Sequence, residues 1–300
     1  MDKLLYLLGA AVLVGANATL FLSGWLEEFN EFEPVTGVYI IDLLLEFFPS
    51  LFYNTTSQVT FYLMLSMLIA SSTAIMFEGS RRRKAGFSQV KLALFWPIAQ
   101  FVAAGFATPL YFGFFSAKNV DDSEYVFIGK SRITGMLMLT IILGLMTGPM
   151  IQSFLDQEQD QNFLVAWILV PVIIGPLIIL TDFSVNAKTE RVPRLFLNIN
   201  YFLAFVLGAV SHFYMLQLFH DRTTKAIYRH ILENPPCQFL LLDYLGVLIS
   251  SYLWLIADGR VSVLSQLHML FFFGPAAHFA KLCVSRERDI EEEISKSKNE

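Results

Sequence analysis

Two ionisable side chains, Asp243 and His212, sit inside long apolar stretches of the sequence. Carrying such a group into hydrocarbon is costly, so each is a candidate for chemistry. Asp243 stands six residues into its stretch, and His212 stands six residues from the end of the stretch before it. The two are expected at similar depth, about 9 Å by helical rise. An Asp beside a His is a candidate proton donor. The structural alternative is an interhelical hydrogen bond that only ties the elements together. Tyr244, Tyr214 and Tyr201 accompany the pair, and aromatic faces attract cations. In a chain with 29 Phe, however, any one ring is as readily packed or lipid-facing.

Other polar groups carry weaker signals. Glu78 precedes Ser80-Arg81-Arg82, and its structural alternative is an ion pair at helical spacing. Gln100 lies in mid-stretch with Pro97 and Gly105 nearby, a pattern that fits a cavity lining. Asp182 and Asp258 fall at the ends of stretches, where hydration is cheap. Asp42 and Glu46 are one helical turn apart. His268 and His278 do not share a helical face at metal-ligand spacing, and no thiolate pair completes a zinc site. Asp121-Asp122-Ser123-Glu124 reads as a solvated loop. No dinucleotide, P-loop or metalloprotease motif occurs.

The elements that position these groups are read from hydropathy. Of 300 residues, 55% are hydrophobic and only 16% charged, below the roughly 25% typical of soluble domains. The net charge of −5 argues against nucleic acid as a partner. Two cysteines are too few for a disulfide framework. Crossing a bilayer takes about 20 mostly apolar residues. Eight stretches qualify: Leu4–Gly24, Ser57–Phe77, Ser88–Phe114, Ile133–Phe154, Phe163–Thr181, Leu197–Phe219, Cys237–Ala257 and Val263–Leu282. The sequence thus predicts an all-α polytopic transmembrane bundle of about eight spans, or seven if the first is a cleaved signal. Val38–Phe52 is expected as a short interfacial or re-entrant helix. Residues 1–284 form one helical domain, and 285–300 a charged cytosolic tail.

Lys and Arg orient such a bundle. Eight alternating crossings from a cytosolic N-terminus put thirteen of the 21 basic residues on the cytosolic side. Arg132, Arg194, Arg260 and the end bearing Asp258 then fall on the opposite side. Asn54-Thr55-Thr56 is a glycosylation sequon on that opposite, lumenal side, with Asn54 as acceptor.

Several segments form a familiar series: Glu78-Gly79-Ser80-Arg81-Arg82, Trp96, Gln100, Gly105, Pro109-Leu110-Tyr111, Asn200-Tyr201, Ser211-His212-Phe213-Tyr214, Asp243-Tyr244, Leu253-Trp254, Gly274-Pro275-Ala276 and Arg286-Glu287. Over roughly residues 70–290 this series resembles the fungal integral-membrane terpene cyclases of the ascofuranone type. Arg83-Lys84 departs from the Gly-Asn expected there, and the N-terminal third matches poorly. The resemblance implies acid-initiated cyclisation of a lipophilic prenylated chain, without metal, nucleotide or redox cofactor. The Lys and Arg distribution over eight crossings puts the C-terminus in the cytosol, and the expected membrane is that of the endoplasmic reticulum. The resemblance makes Asp243 the proton donor, with His212 or Tyr244 tuning it, and Glu78 a second acid. Tyr111, Tyr201, Tyr214 and Trp254 become cation-stabilising candidates, and Gln100 a substrate contact. Substrate identity and oligomeric state are not legible. The rival reading is a small proton-coupled transporter or receptor-like bundle without catalysis.

Overall fold

The computed structural model describes residues 47, 49, 51–52, 54–81, 89–101, 103–115, 128, 130–155, 161–180 and 194–297. Leu4–Gly24, Asp42, Glu46, Arg82–Lys84, Asp121–Glu124 and Asp182 lie outside them. Of Val38–Phe52, only Phe47, Pro49, Leu51 and Phe52 are described.

The regular structure among these residues is helical: α1 (Thr55–Arg81), α2 (Gln89–Ala93), α3 (Phe95–Phe101), α4 (Ala104–Phe115), α5 (Lys130–Leu155), α6 (Gln161–Leu180), α7 (Arg194–Asp221), α8 (Thr224–Glu233), α9 (Pro235–Asp258) and α10 (Leu267–Ser297). Four helices among the described residues are long and apolar enough to cross a membrane: Thr55–Arg81, Leu197–Asp221, Pro235–Asp258 and Leu267–Lys296. The chain is an integral membrane protein by this measure. A bilayer offers no partner for backbone groups, which is why such a sequence resolves into helices.

Local sequence explains the boundaries. Asn234 Oδ1 accepts the Cys237 N–H at 2.9 Å and Pro235 opens α9, whereas Gly259 closes it in the left-handed conformation. These are the cap and stop preferences of an isolated helix. The short α8 is amphipathic, burying Ile227 against Val59 and Leu218 while Tyr228 stays exposed. It joins α7 to α9 across one end of the bundle.

Two stretches expected to cross do not do so as single rods. The first is Ser88–Phe114. The Tyr111 hydroxyl on α4 donates to the Lys91 carbonyl on α2, and the Tyr111 ring meets Phe95 edge-on at 5.1 Å. The α4 helix therefore doubles back along α2 and α3, and the tip of this hairpin lies near Ala103. Pro97 removes a helical N–H just past the junction of α2 and α3, whereas α4 continues through Pro109.

The second is Val263–Leu282. The α10 helix is two helices joined at Gly274, whose φ of 85° and ψ of 172° are non-helical. The Tyr252 hydroxyl lies 3.0 Å from Pro275 O and 2.9 Å from His278 Nδ1, and Asp258 meets Arg286. Numbers rise together, so the second half of α10 runs parallel to α9. It runs antiparallel to α7, because Gly208 faces Ala277 while Arg194 bonds Glu291. Between them the chain turns back into the bundle, where His278 Nε2 donates to Ser265 O at 3.0 Å.

These reversals regroup the charges. Arg132 Nη1 donates to Ser80 Oγ at 2.8 Å, so Arg132 shares an end with Arg81. Arg194, Arg260 and Arg286 join that end through Glu291, Asp258 and Glu78. Alternating crossings had separated them. Beyond residue 284, α10 continues to Ser297, and Arg286, Glu287, Ile290 and Ile294 are buried.

Gly274 is required twice over. Its conformation is open essentially to glycine alone, and a Cβ there would stand 2.7 Å from His212 Cβ. Gly274→Ala should cost about 1–3 kcal/mol from the backbone alone. Thermal unfolding of the purified chain in detergent checks this, with Ala276→Gly as a neighbouring control.

Candidate functional site

Several of the segments quoted above converge on two places in the bundle, while His212 meets Gly274 at the α10 kink.

The first lies where α1 and α9 end against the middle of α10. Glu78 on α1 bonds Arg286 Nη2 on α10 at 2.9 Å, and neither side chain is exposed at all. Asp258, at the end of α9, takes the same guanidinium through Nε at 2.9 Å and Nη2 at 2.8 Å. Arg81 pairs with Glu287, and Arg260 reaches Asp258 at 3.0 Å. Trp254 lies under the Arg286 guanidinium at 4.5 Å and stacks on Phe112 at 4.7 Å. The Tyr201 ring stands edge-on to Phe77, within electrostatic reach of Glu287, Cys283 and Arg286. Removing charges from water is offset only when each finds hydrogen-bonded partners, and here three helices supply them.

The second place is the hairpin tip. Gly105 N–H donates to Asp243 Oδ1 at 2.5 Å, and Ala104 N–H lies 3.3 Å from Oδ2. The Asp243 carboxyl thus sits on the N-terminus of α4, whose first backbone donors have no helical partner. Fifteen residues separate it from Asp258 along α9, about 22 Å by helical rise. The contact is close because position 105 carries no side chain. A Cβ there would lie 2.8 Å from both Asp243 O and Oδ1.

Asp243, Glu78 and His212 are all buried, at 6%, 0% and 6% exposure. They are not brought together. His212 Nε2 donates to the Phe271 carbonyl at 2.9 Å and its ring packs on Gly274, so it holds the α10 kink rather than Asp243. Equal depth along two helices did not fix which way each side chain turned. Glu78 bonds Arg286 across 208 positions of sequence, a partner that helical spacing along α1 did not suggest.

The aromatic candidates divide. Tyr244 is buried beside Asp243 in sequence, and Tyr111 and Tyr201 are buried. Tyr214 is 51% exposed and stacks on Tyr62, outside the interior. Trp254 already has a cation and a ring on its surface. Gln100 stands on α3, half-buried, close to the hairpin tip. Asn54 is partly buried, and its Oδ1 accepts the Thr56 N–H at 2.8 Å. Among the described residues no three His, Cys, Asp or Glu side chains converge as a metal site.

The sequence did not single out Arg286, Asp258, Arg81 and Glu287 as one group. The signal was the density of charge flanking apolar stretches; what was missing was the fold-back that gathers it.

The chain belongs to the CtvD domain family, whose model matches residues 27–230. The match takes in Glu78, Gln100, Gly105, Tyr111, Tyr201 and His212 and ends before Asp243, Trp254 and Arg286. No curated protein and no solved structure matches the chain.

Proposed function

We propose that this chain is a membrane-bound terpene cyclase, similar to the ascofuranone type, that starts cyclisation of a lipophilic prenylated chain by protonating it. Membership of the CtvD domain family supports the class. The observation that carries the chemistry is the buried Asp243 carboxyl on the N-terminus of α4.

Asp243 transfers its proton to the oxygen of a terminal epoxide, or to a terminal olefin carbon. The epoxide C–O bond breaks as an internal double bond attacks the carbon, a ring closes and a cation moves along the chain. Loss of a proton, or capture by an oxygen nucleophile of the substrate followed by proton loss, ends the sequence. The product is an isomer of the substrate, and the released proton restores the acid. Donation leaves a carboxylate, and the Gly105 and Ala104 N–H groups stand where that charge develops. Buried rings such as Tyr244 and Tyr111 are candidate walls for the cation. Hydrocarbon surroundings keep water from quenching it. A prenyl chain reaches such a site through the bilayer, gaining about 0.8 kcal/mol per buried methylene. Glu78 serves here as the buried partner of Arg286, not as a second proton donor. The charge-rich end bearing Arg81 and Arg286 faces the cytosol, following the Lys and Arg bias, and the membrane is that of the endoplasmic reticulum.

The test is product analysis. Microsomes carrying the protein are fed a prenylated epoxide and, separately, its olefin. A ring-containing product of unchanged mass supports the reading, and the two substrates separate the two starts. Movement of unaltered substrate across the membrane supports the carrier reading instead.

Gly105→Ala is expected to push Asp243 away from the hairpin tip. A displacement of about 1 Å can cost on the order of 10²-fold in rate. The expected result is that loss in turnover at unchanged amounts of folded protein.

A further inference from the structure

The charge-rich end carries a feature that the proposed chemistry does not use. A cleft of about 250 Å³ opens between the first turns of α7 and the last turns of α10, lined by Arg194, Asn198, Lys281, Ser285, Arg288 and Glu291 among others. The lining residues lie on facing helical stripes: 281, 285 and 288 on α10, and 194 and 198 on α7. From these residues we infer that the cleft binds the phosphate of an anionic membrane lipid, whose acyl chains lie along the outer face of α7.

Three observations carry the site. First, the cleft has more cationic capacity than its own carboxylates consume. Arg194 is shared with Glu291 at 3.0 Å and Glu292 at 3.6 Å. Glu287 on the wall is already used by Arg81 and Arg286. Among the described residues Arg288 pairs only with Asp289, at 3.7 Å, and is 62% exposed. Lys281 makes no ion pair among the described residues. Second, Lys281 is half-buried and stands on the wall of the cleft, five residues before Arg286 on α10. Asn198 and Ser285 add neutral hydrogen-bonding groups of the kind that complete a phosphate site.

Third, the cleft continues into an apolar strip. Leu195, Asn198, Phe202 and Val206 follow one another at helical spacing. Leu195 and Phe202 are more than 60% exposed, and Val206 is 39% exposed. A charged mouth above an exposed apolar face matches a two-part ligand with a phosphate head and a hydrocarbon tail. A free phosphate ion would use only the mouth. The cleft lies at the charge-rich end, whereas Asp243 sits at the hairpin tip against Gly105, so it is separate from the proposed chemistry and does not rest on it.

The full chain is reconstituted in nanodiscs of phosphatidylcholine, with and without phosphatidic acid or phosphatidylserine, and retained lipid is quantified after repurification. Each Lys or Arg near a bilayer surface contributes about fivefold in preference for anionic lipid. Anionic lipid should be retained over phosphatidylcholine by at least that factor. Lys281→Gln or Arg288→Gln should each lower the preference about fivefold, Lys281→Arg should keep it, and Phe202→Ser should weaken retention with the headgroup site intact. Equal retention of both lipids, or no effect of Lys281→Gln and Arg288→Gln, overturns the site. If millimolar inorganic phosphate in pure phosphatidylcholine discs raises the unfolding temperature as much as anionic lipid does, the lipid assignment falls.

Discussion

Arg286→Met is expected to cost about 3–5 kcal/mol of stability, the usual result of removing one partner from a buried ion pair. Arg286 is fully buried and holds two carboxylates, Glu78 and Asp258, that come from different helices. Its loss takes the guanidinium from both carboxylates, leaving Asp258 to Arg260, and removes the cation over Trp254. The purified chain should unfold at markedly lower temperature or fail to accumulate in membranes. The pairing itself is tested by Arg286→Met combined with Glu78→Gln and Asp258→Asn, which neutralises the two carboxylates as well. That combination should recover a substantial part of the loss, because a neutral interior replacing an ion pair is often tolerated. A triple variant no more stable than Arg286→Met would show that the cluster does not hold the end of the bundle together.

Asp243→Asn is expected to act differently. Asn keeps the size and one acceptor oxygen for the Gly105 N–H, so folding should survive. It has no acidic proton to give, so turnover should fall by the 10²- to 10⁴-fold typical of losing a positioned general acid. Thermal unfolding close to wild type together with that loss marks a chemical role. A variant that unfolds early marks a structural one, since Asp243 would then be acting as a cap on α4. Glu78→Gln separates the two clusters: stability should fall, and turnover per folded molecule should change little.

Much of the helical content was legible because hydropathy alone decides it. The apolar stretches around α1, α7 and α9 correspond to long helices with ends close to those expected. The sequence hid direction. Ser88–Phe114 is apolar enough to cross, yet the Tyr111–Lys91 bond shows it turning back. Pro97, Gly105 and Pro109 marked a weakness there without saying whether the chain would kink or reverse. Val263–Leu282 conceals a reversal at Gly274, where Gly-Pro is the only written trace. Each hidden reversal inverts the side assigned to every later charge, which is how Asp258 and Arg260 came to be placed opposite Arg286.

The candidate site was legible by type but not by partner. Asp243, His212 and Glu78 were singled out because ionisable groups in apolar stretches are costly, and all three are buried. The partner of Asp243 is the backbone of Gly105 and Ala104, and no side-chain pattern announces a backbone partner. Gly105 is glycine because the Asp243 backbone and carboxyl fill the space its Cβ would take. His212 turned instead to the α10 kink, where a carbonyl freed from helical bonding needed a donor.

Under the proposed function, this chain itself protonates a lipophilic polyene from a carboxyl held within its helices. The most direct measurement uses the purified full chain in nanodiscs, supplied with a prenylated epoxide and no other enzyme, with products followed by mass spectrometry. The account predicts a cyclic isomer from the wild type and almost none from equally folded Asp243→Asn. Recovery of the linear epoxide unchanged from the wild type, or equal product from both proteins, would contradict it.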